Sequence, residues 1–164
     1  MAEGTAVRSL KNGTITFADS GGTNTYTVAY EAGDFTASTP GDVITEFMDR
    51  QCHASPPALR KTAESNTTIG FSAYFRDVTD ASAAVAPDFI YNAGFVASDW
   101  VSTLGASAEV FTFSVTYVSA SVDGEAAQTL VFNHCHMADG TFTEGDPVIT
   151  SFNIISHENT PTNT

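Results

Sequence analysis

Hydrophobic and polar residues alternate with a period of two along much of this chain, which is the pattern of strands that bury one face. The alternation is clearest over Thr68–Asp77 and Glu109–Ala120. The side chains predicted to point inward are Ile69, Phe71, Ala73 and Phe75 in the first segment and Phe111, Phe113, Val115 and Tyr117 in the second. Both segments are therefore predicted to be strands of one sheet-based core.

Shorter apolar segments predict the other elements. Further strands are expected over Thr14–Ala18, Thr25–Glu31, Val43–Arg50, Gln128–Ala138 and Val148–His157. In the Gln128–Ala138 strand, Phe132 and Cys135 are expected on opposite faces. Gly21-Gly22 and Asp123-Gly124 are typical hairpin turns. The result is a mainly β fold, an antiparallel β-sandwich or barrel of six or seven strands.

The alternation stops in three places. Residues 32–41 are predicted to be a loop. An alanine-rich segment that begins at Asp80, a good N-cap, predicts one flanking α-helix to about Tyr91. Residues 51–66 form a long polar connection in which Pro56-Pro57 disfavours a central strand. Connections of this length inside a small domain are more often functional than idle.

A length of 164 residues fits one domain. We expect an N-terminal arm over residues 1–13, a β domain over residues 14–157 and a polar C-terminal tail over residues 158–164. No apolar run is long enough for a membrane-spanning helix.

Charge is distributed unevenly along the chain. The formal net charge is −13, and residues 77–164 contain no lysine or arginine and 11 acidic residues. Binding to DNA phosphates needs clustered cations, so a nucleic-acid-binding protein is disfavoured. Half of the cations, Arg50, Arg60 and Lys61, lie at or in the long polar connection.

No motif indicates an enzyme or a cofactor site. The chain has no nucleophile elbow, phosphate loop or dinucleotide-binding glycine cluster. His134 and His136 would share a face of a regular strand, and Cys52 or His53 could supply a third zinc ligand. Nothing in the sequence brings these residues together, so two ordinary strand histidines remain the alternative. We expect no catalysis, no cofactor and no metal.

The cysteines predict a reducing environment. The N-terminus lacks the apolar core of a secretion signal, and two cysteines do not make a disulfide framework. Cys52 and Cys135 are therefore expected to be free thiols in a protein made in a cytoplasm.

The order of these segments resembles that of the tail tube (major tail) proteins of long-tailed bacteriophages and of related phage-derived particles. The resemblance covers roughly residues 14–157. The resemblance rests on five segments of the chain. They are the Tyr26–Glu31 strand ending at Gly33-Asp34, the connection with Pro56-Pro57-Ala58-Leu59-Arg60, the Ile69–Phe75 strand, the helix before Trp100-Val101-Ser102-Thr103, and the closing strands around Glu144-Gly145-Asp146-Pro147. It is a likeness of layout, since none of these segments is a sharp motif.

The resemblance implies a structural virion protein. In that family, hexameric rings stack into a hollow tail tube through which DNA passes without specific binding. The chain would then act in the virion tail, assemble in the host bacterial cytoplasm, and have as partners other copies of itself and the tail proteins at the tube ends. The long connection would join subunits through Arg50, Pro56, Pro57, Leu59, Arg60 and Lys61.

If strands Thr25–Glu31 and Glu109–Ala120 join the wall of such a tube, their polar faces would line the lumen. The residues expected there are Thr25, Thr27, Glu31, Thr112, Ser114 and Thr116. Two other functions remain open from the residues: a tail-terminator or neck ring protein, and a carbohydrate-binding β-sandwich module. The latter usually presents several exposed aromatic side chains on a flat face, whereas the aromatic residues here mostly alternate inward.

Overall fold

The computed structural model describes residues 13–28, 34–47, 58–63, 65–74, 89–91, 99–120, 126–158 and 161–163. Within these residues the chain is built almost entirely of strands. They are β1 (Thr14–Ala18), β2 (Thr25–Val28), β3 (Thr36–Ser38), β4 (Val43–Phe47), β5 (Ala58–Ala63), β6 (Thr67–Tyr74), β7 (Phe113–Val118), β8 (Thr129–Thr143), β9 (Ile149–Ser156) and β10 (Thr162–Asn163).

Eight of the strands form one antiparallel sheet. Its order is β2-β1-β7-β8-β9-β6-β3, and β10 pairs with β8. The long strand β8 joins the two halves of the sheet, because its first part pairs with β7 and its second part pairs with β9 from Cys135 onward. Strands β4 and β5 form a separate two-stranded sheet.

Phe17 lies at the centre of the core. Its ring is 5.1 Å from that of Phe113 in β7, 6.1 Å from Phe71 in β6 and 5.8 Å from Phe152 in β9, all measured between ring centroids. Side chains from both halves of the sheet therefore meet on one apolar interior. The mainly β, sandwich-like fold expected from the alternation is confirmed.

The burial pattern was predicted most accurately for β6, where apolar and polar residues alternate most strictly. In β6, Ile69, Phe71 and Ala73 are buried as predicted, whereas Thr68 is exposed. Phe113, Val115 and Tyr117 of β7 are likewise buried. Phe111 lies before the first residue of β7 and packs against the core only in part.

The faces of β8 were predicted wrongly. Phe132 and Cys135 were expected on opposite faces, but both are buried. The pairing of β8 with β7 shifts by one residue between Val115↔Phe132 and Phe113↔Cys135, and His134 has a positive φ of 50°. This β-bulge adds one residue to β8 and turns Cys135 back to the core.

Three segments expected to lack strands contain them. Residues 32–41 include β3, the long polar connection includes β5, and the C-terminal tail includes β10. Only the last part of the predicted helix is described, and there Phe89 and Ile90 are helical. Among the residues that the structure describes, no helix is long and apolar enough to cross a membrane.

Candidate functional site

The β4–β5 hairpin is the first candidate surface. Its register places Ile44 opposite Lys61 and Glu46 opposite Leu59, so these four side chains share one face. Val43, Ile44 and Leu59 are large apolar side chains that are 54%, 58% and 64% exposed. Because Thr45, on the opposite face, is exposed as well, solvent reaches both faces of this hairpin.

The hairpin also carries two of the six cations of the chain. Lys61 Nζ lies 3.0 Å from Asp42 Oδ2, and Arg60 is exposed opposite Thr45. A half-exposed ion pair of this kind contributes at most about 1 kcal/mol to stability. Of the residues predicted to join subunits, Leu59, Arg60 and Lys61 thus lie together on a strand rather than in a loop. Arg50, Pro56 and Pro57 lie outside the described residues.

A hydroxyl-rich face on β2, β1 and β7 is the second candidate surface. Thr16 pairs with Thr27 on one side and with Thr116 on the other. The row continues to Val131 of β8 and to Thr162 of β10. Directly opposite residues share a face, so one uncharged row crosses five strands, and Thr16 Oγ1 lies 3.5 Å from Thr27 Oγ1.

Several residues predicted to line a lumen lie on this hydroxyl-rich face. Thr25 and Thr27 are exposed, and Ser114 and Thr116 are partly exposed. Ser114 Oγ donates a hydrogen bond to the Ala18 backbone oxygen at 3.2 Å. Glu31 lies outside the described residues.

Thr112 does not belong to the hydroxyl-rich face, and its predicted orientation was wrong. It precedes the first residue of β7 and is buried, with 1% of its surface exposed. Its Oγ1 lies 3.0 Å from Ser102 Oγ and 2.7 Å from Thr103 Oγ1, and it accepts a hydrogen bond from the Leu104 backbone N–H at 3.2 Å. The hydroxyl group thus anchors the loop before β7 and is not available to a channel.

Three of the four histidines converge where β8 meets β9. His134 Nδ1 lies 3.1 Å from Thr103 Oγ1, and the His134 backbone oxygen accepts a hydrogen bond from the His157 N–H. His136 Nδ1 lies 2.8 Å from His157 Nε2. Burial, together with the neighbouring His157, lowers the pKa of His136.

This arrangement differs from the metal site considered from the sequence. The bulge separates the rings of His134 and His136, and His157 becomes the neighbour of His136. Cys52 and His53 lie outside the described residues. Within the described part of the chain, no group of three or more histidine, cysteine, aspartate or glutamate side chains could hold a metal ion. Sequence reasoning missed His157, because only the register of β8 with β9 shows that these histidines meet.

Comparison with known proteins gives a likeness in fold. No protein-family model matches the sequence, and no curated protein matches it significantly. A chain in the cryo-EM structure of the anti-feeding prophage (AFP) baseplate, determined with sixfold symmetrisation, superposes with a TM-score of 0.60 at 8% sequence identity. The match covers 98% of this chain and 97% of that chain. The two chains therefore share a fold over nearly their whole length.

Proposed function

We propose that this chain is a structural protein of a phage-derived particle, and more specifically that it forms hexameric rings that stack into a tail tube. The likeness to a chain of the AFP baseplate over nearly the full length of both supports a place in such a particle. The particle's tail is then its location, after assembly in the host bacterial cytoplasm. Its partners are further copies of itself and the tail proteins at the tube ends.

The observation that carries this proposal is the exposed β4–β5 hairpin. An isolated two-stranded sheet is at best marginally stable in water. Here it also exposes Ile44 and Leu59 as diagonal neighbours on one face and Val43 on the other, and exposed apolar side chains that adjoin each other favour a protein contact. A neighbouring subunit that covers these side chains would stabilise the hairpin and gain apolar burial of about 25 cal/mol per Å².

Charge complementarity favours a second copy of the same chain as that neighbour. The hairpin contributes Arg60 and Lys61, whereas the chain as a whole carries a net charge of −13. Asp42 neutralises Lys61, so the exposed Arg60 is the hairpin cation that an acidic neighbouring copy would attract, and such complementarity sets the register and raises the rate of association.

A tube that conducts DNA should not bind the DNA that passes through it. The hydroxyl-rich face offers Thr16, Thr27 and Thr116 with no cation to bind phosphate and no aromatic ring in this row for a base to stack on. Net negative charge repels duplex DNA over a screening length of about 8 Å at physiological salt. In the proposed tube this face lines the lumen, and the protein acts as a wall with no catalytic or cofactor role.

The experiment that tests the proposal compares assembly of the wild-type chain with that of the double variant Ile44→Ser plus Leu59→Ser. Both changes remove apolar surface from one face of the hairpin without touching the core. Light scattering after size exclusion and negative-stain imaging should show long tubes for the wild type and soluble monomers for the variant. Tyr91→Ser is a matched control, since it removes a side chain that is 74% exposed elsewhere. Tubes formed equally well by the double variant would contradict the proposal.

A second candidate follows from the name of the structural neighbour, which describes a baseplate. The chain could then form one ring at the base of a tube rather than the tube itself, and a tail-terminator or neck ring would also stop at one ring. A carbohydrate-binding module would stay monomeric. The length distribution of the assemblies distinguishes these functions, because only a tube protein gives open-ended stacks.

A further inference from the structure

The imidazoles of His136 and His157 face each other on the surface of the described sheet. Their nearest nitrogens are 2.8 Å apart, while the ring centroids are 4.9 Å apart and the ring planes differ by 18°. Because the nitrogens are much closer than the centroids, the rings meet edge to edge. One nitrogen donates its N–H and the lone pair of the other accepts it, so a single proton lies between the two nitrogens.

The strands hold this pair in place. His136 is paired with Ile155 across β8 and β9, so His157, two residues after Ile155 and just past the end of β9, occupies the diagonal position. Diagonal neighbours in an antiparallel sheet lie within reach of long side chains. The His157 N–H also donates to the His134 backbone oxygen at 3.2 Å, which continues the β8–β9 ladder past Ser156. Both histidine backbones are thus fixed by sheet hydrogen bonds.

We propose that His136 and His157 form a two-imidazole site for a first-row transition-metal ion. On binding, the proton between the rings moves to the outer nitrogen of the ring that carries it, which is Nε2 of His136 or Nδ1 of His157, so that both facing nitrogens present a lone pair to the ion and both imidazoles stay neutral. Neutral imidazole is a good ligand for Cu²⁺, Ni²⁺ and Zn²⁺. Metal–nitrogen bonds of about 2.0–2.1 Å place two adjacent ligands about 2.9 Å apart in a square or octahedral site, and about 3.4 Å apart in a tetrahedral one. The observed 2.8 Å is an ordinary hydrogen-bond separation, so it places both nitrogens within reach of one ion but does not select the metal. The preference for Cu²⁺ follows from the Irving–Williams order, and both rings rotate so that their lone pairs point at the ion.

The remaining ligands of the ion are water molecules. Glu158 follows His157 directly, but its Oε2 accepts hydrogen bonds from the Asn133 side chain at 3.1 Å and from the Asn133 backbone N–H at 3.4 Å. His134 Nδ1 is paired with Thr103. The side of the pair toward solvent is open, because His157 is exposed. Such a site binds the ion through two protein ligands and leaves its other coordination positions to water.

The test is titration of the full chain with Cu²⁺, Ni²⁺ and Zn²⁺ in a non-coordinating buffer at pH 7.5. Calorimetry should show one site that binds Cu²⁺ most tightly. His136→Gln and His157→Gln should each weaken it at least tenfold. His134→Asn is the matched control, because it removes the nearby imidazole while asparagine tolerates the left-handed backbone at this position. Equal binding by wild type and both glutamine variants, or an equal loss in His134→Asn, would overturn the proposal.

A second measurement does not depend on the folding of any variant. The electron paramagnetic resonance spectrum of the wild-type chain with one equivalent of Cu²⁺ should show hyperfine coupling to two imidazole nitrogens. A spectrum with one imidazole nitrogen, or with none, would place the copper elsewhere and overturn the proposed site.

Discussion

The side chain of Ile90 packs directly over Gly140. A Cβ atom added at Gly140 would lie 2.5 Å from Ile90 Cγ2 and 2.8 Å from Ile90 Cγ1. The absence of a side chain on β8 therefore lets the helical residues Phe89 and Ile90 approach the sheet, where the Phe89 ring lies 5.7 Å from that of Phe17. The helical residues thus pack against both β8 and the aromatic cluster around Phe17.

Gly140→Ala is expected to destabilise the protein by about 1–3 kcal/mol, because the new methyl group overpacks this contact. Urea unfolding monitored by circular dichroism measures the change. Gly41→Ala is the control: a Cβ atom there meets nothing within 4 Å, so a change within about 0.5 kcal/mol is expected. In an Ile90→Ala background, Gly140→Ala should reduce the free energy of unfolding by less than it does in the wild type. If the reduction is the same in both backgrounds, the close approach of Ile90 is not the cause of the destabilisation.

The buried thiol of Cys135 should be unreactive until the protein unfolds. Its Sγ donates to the Phe132 backbone oxygen at 3.3 Å, and burial raises the pKa of Cys135 to about 12. The reactive thiolate is therefore absent at neutral pH. In a Cys52→Ser variant, a thiol reagent such as Ellman's should find no reactive group in the native protein and one after addition of urea. Rapid reaction of the native variant would contradict the burial.

His136 should make the stability of the fold depend on pH. The pKa of His136 is lowered in the folded state, first by burial and then by His157, so the unfolded chain binds a proton more readily. The contribution of neutral His136 to the free energy of unfolding is fully present above the pKa of about 6.5 in the unfolded chain. It is lost as the pH falls from there toward the pKa of His136 in the folded protein. Unfolding free energies measured at pH 7.5 and at pH 5.5 should differ less in His136→Gln than in the wild type. An identical difference in both proteins would show that this histidine does not contribute.

Strict alternation was enough to predict β6 and the buried part of β7, because each inward position holds a large apolar residue or alanine. The sequence could not reveal β3, since Thr36-Ala37-Ser38 has no large apolar side chain and its strand state comes from pairing with Gly70, Ile69 and Thr68 of β6. The same holds for Thr162 and Asn163, which become a strand by pairing with β8. Edge strands of this kind are defined by their neighbour and not by their own pattern.

The two candidate surfaces were predictable to different degrees. Thr25, Thr27, Ser114 and Thr116 follow from period two within regular strands. Thr112 does not, because the strand begins one residue later and the hydroxyl group bonds to Ser102 and Thr103 instead. The strand state of Leu59–Lys61 was hidden by the preceding Pro56-Pro57, which argued for a loop. A bulge such as that at His134 leaves no clear signature in the sequence, so the position of His136 beside His157 required the strand register.

The hydroxyl-rich face gives a test of the proposed conduit. The double variant Thr27→Lys plus Ser114→Lys adds two ammonium groups per subunit to this face, and each should attract DNA phosphate in a salt-dependent way. We expect tubes that still assemble but particles that release DNA more slowly, most strongly at low salt. Thr27→Gln plus Ser114→Gln is the uncharged control and should release DNA at the wild-type rate. Unchanged release from well-formed lysine-variant tubes would show that these positions do not face the channel.

In the proposed tail tube, this chain assembles into stacked hexameric rings. The most direct test is cryo-electron microscopy of the purified, assembled protein, with the rotational symmetry determined from views along the axis. We predict hollow, open-ended tubes with sixfold symmetry in which the β4–β5 hairpin contacts a neighbouring subunit. A protein that stays monomeric at all concentrations, or one that forms only closed assemblies without a sixfold axis, would contradict this prediction.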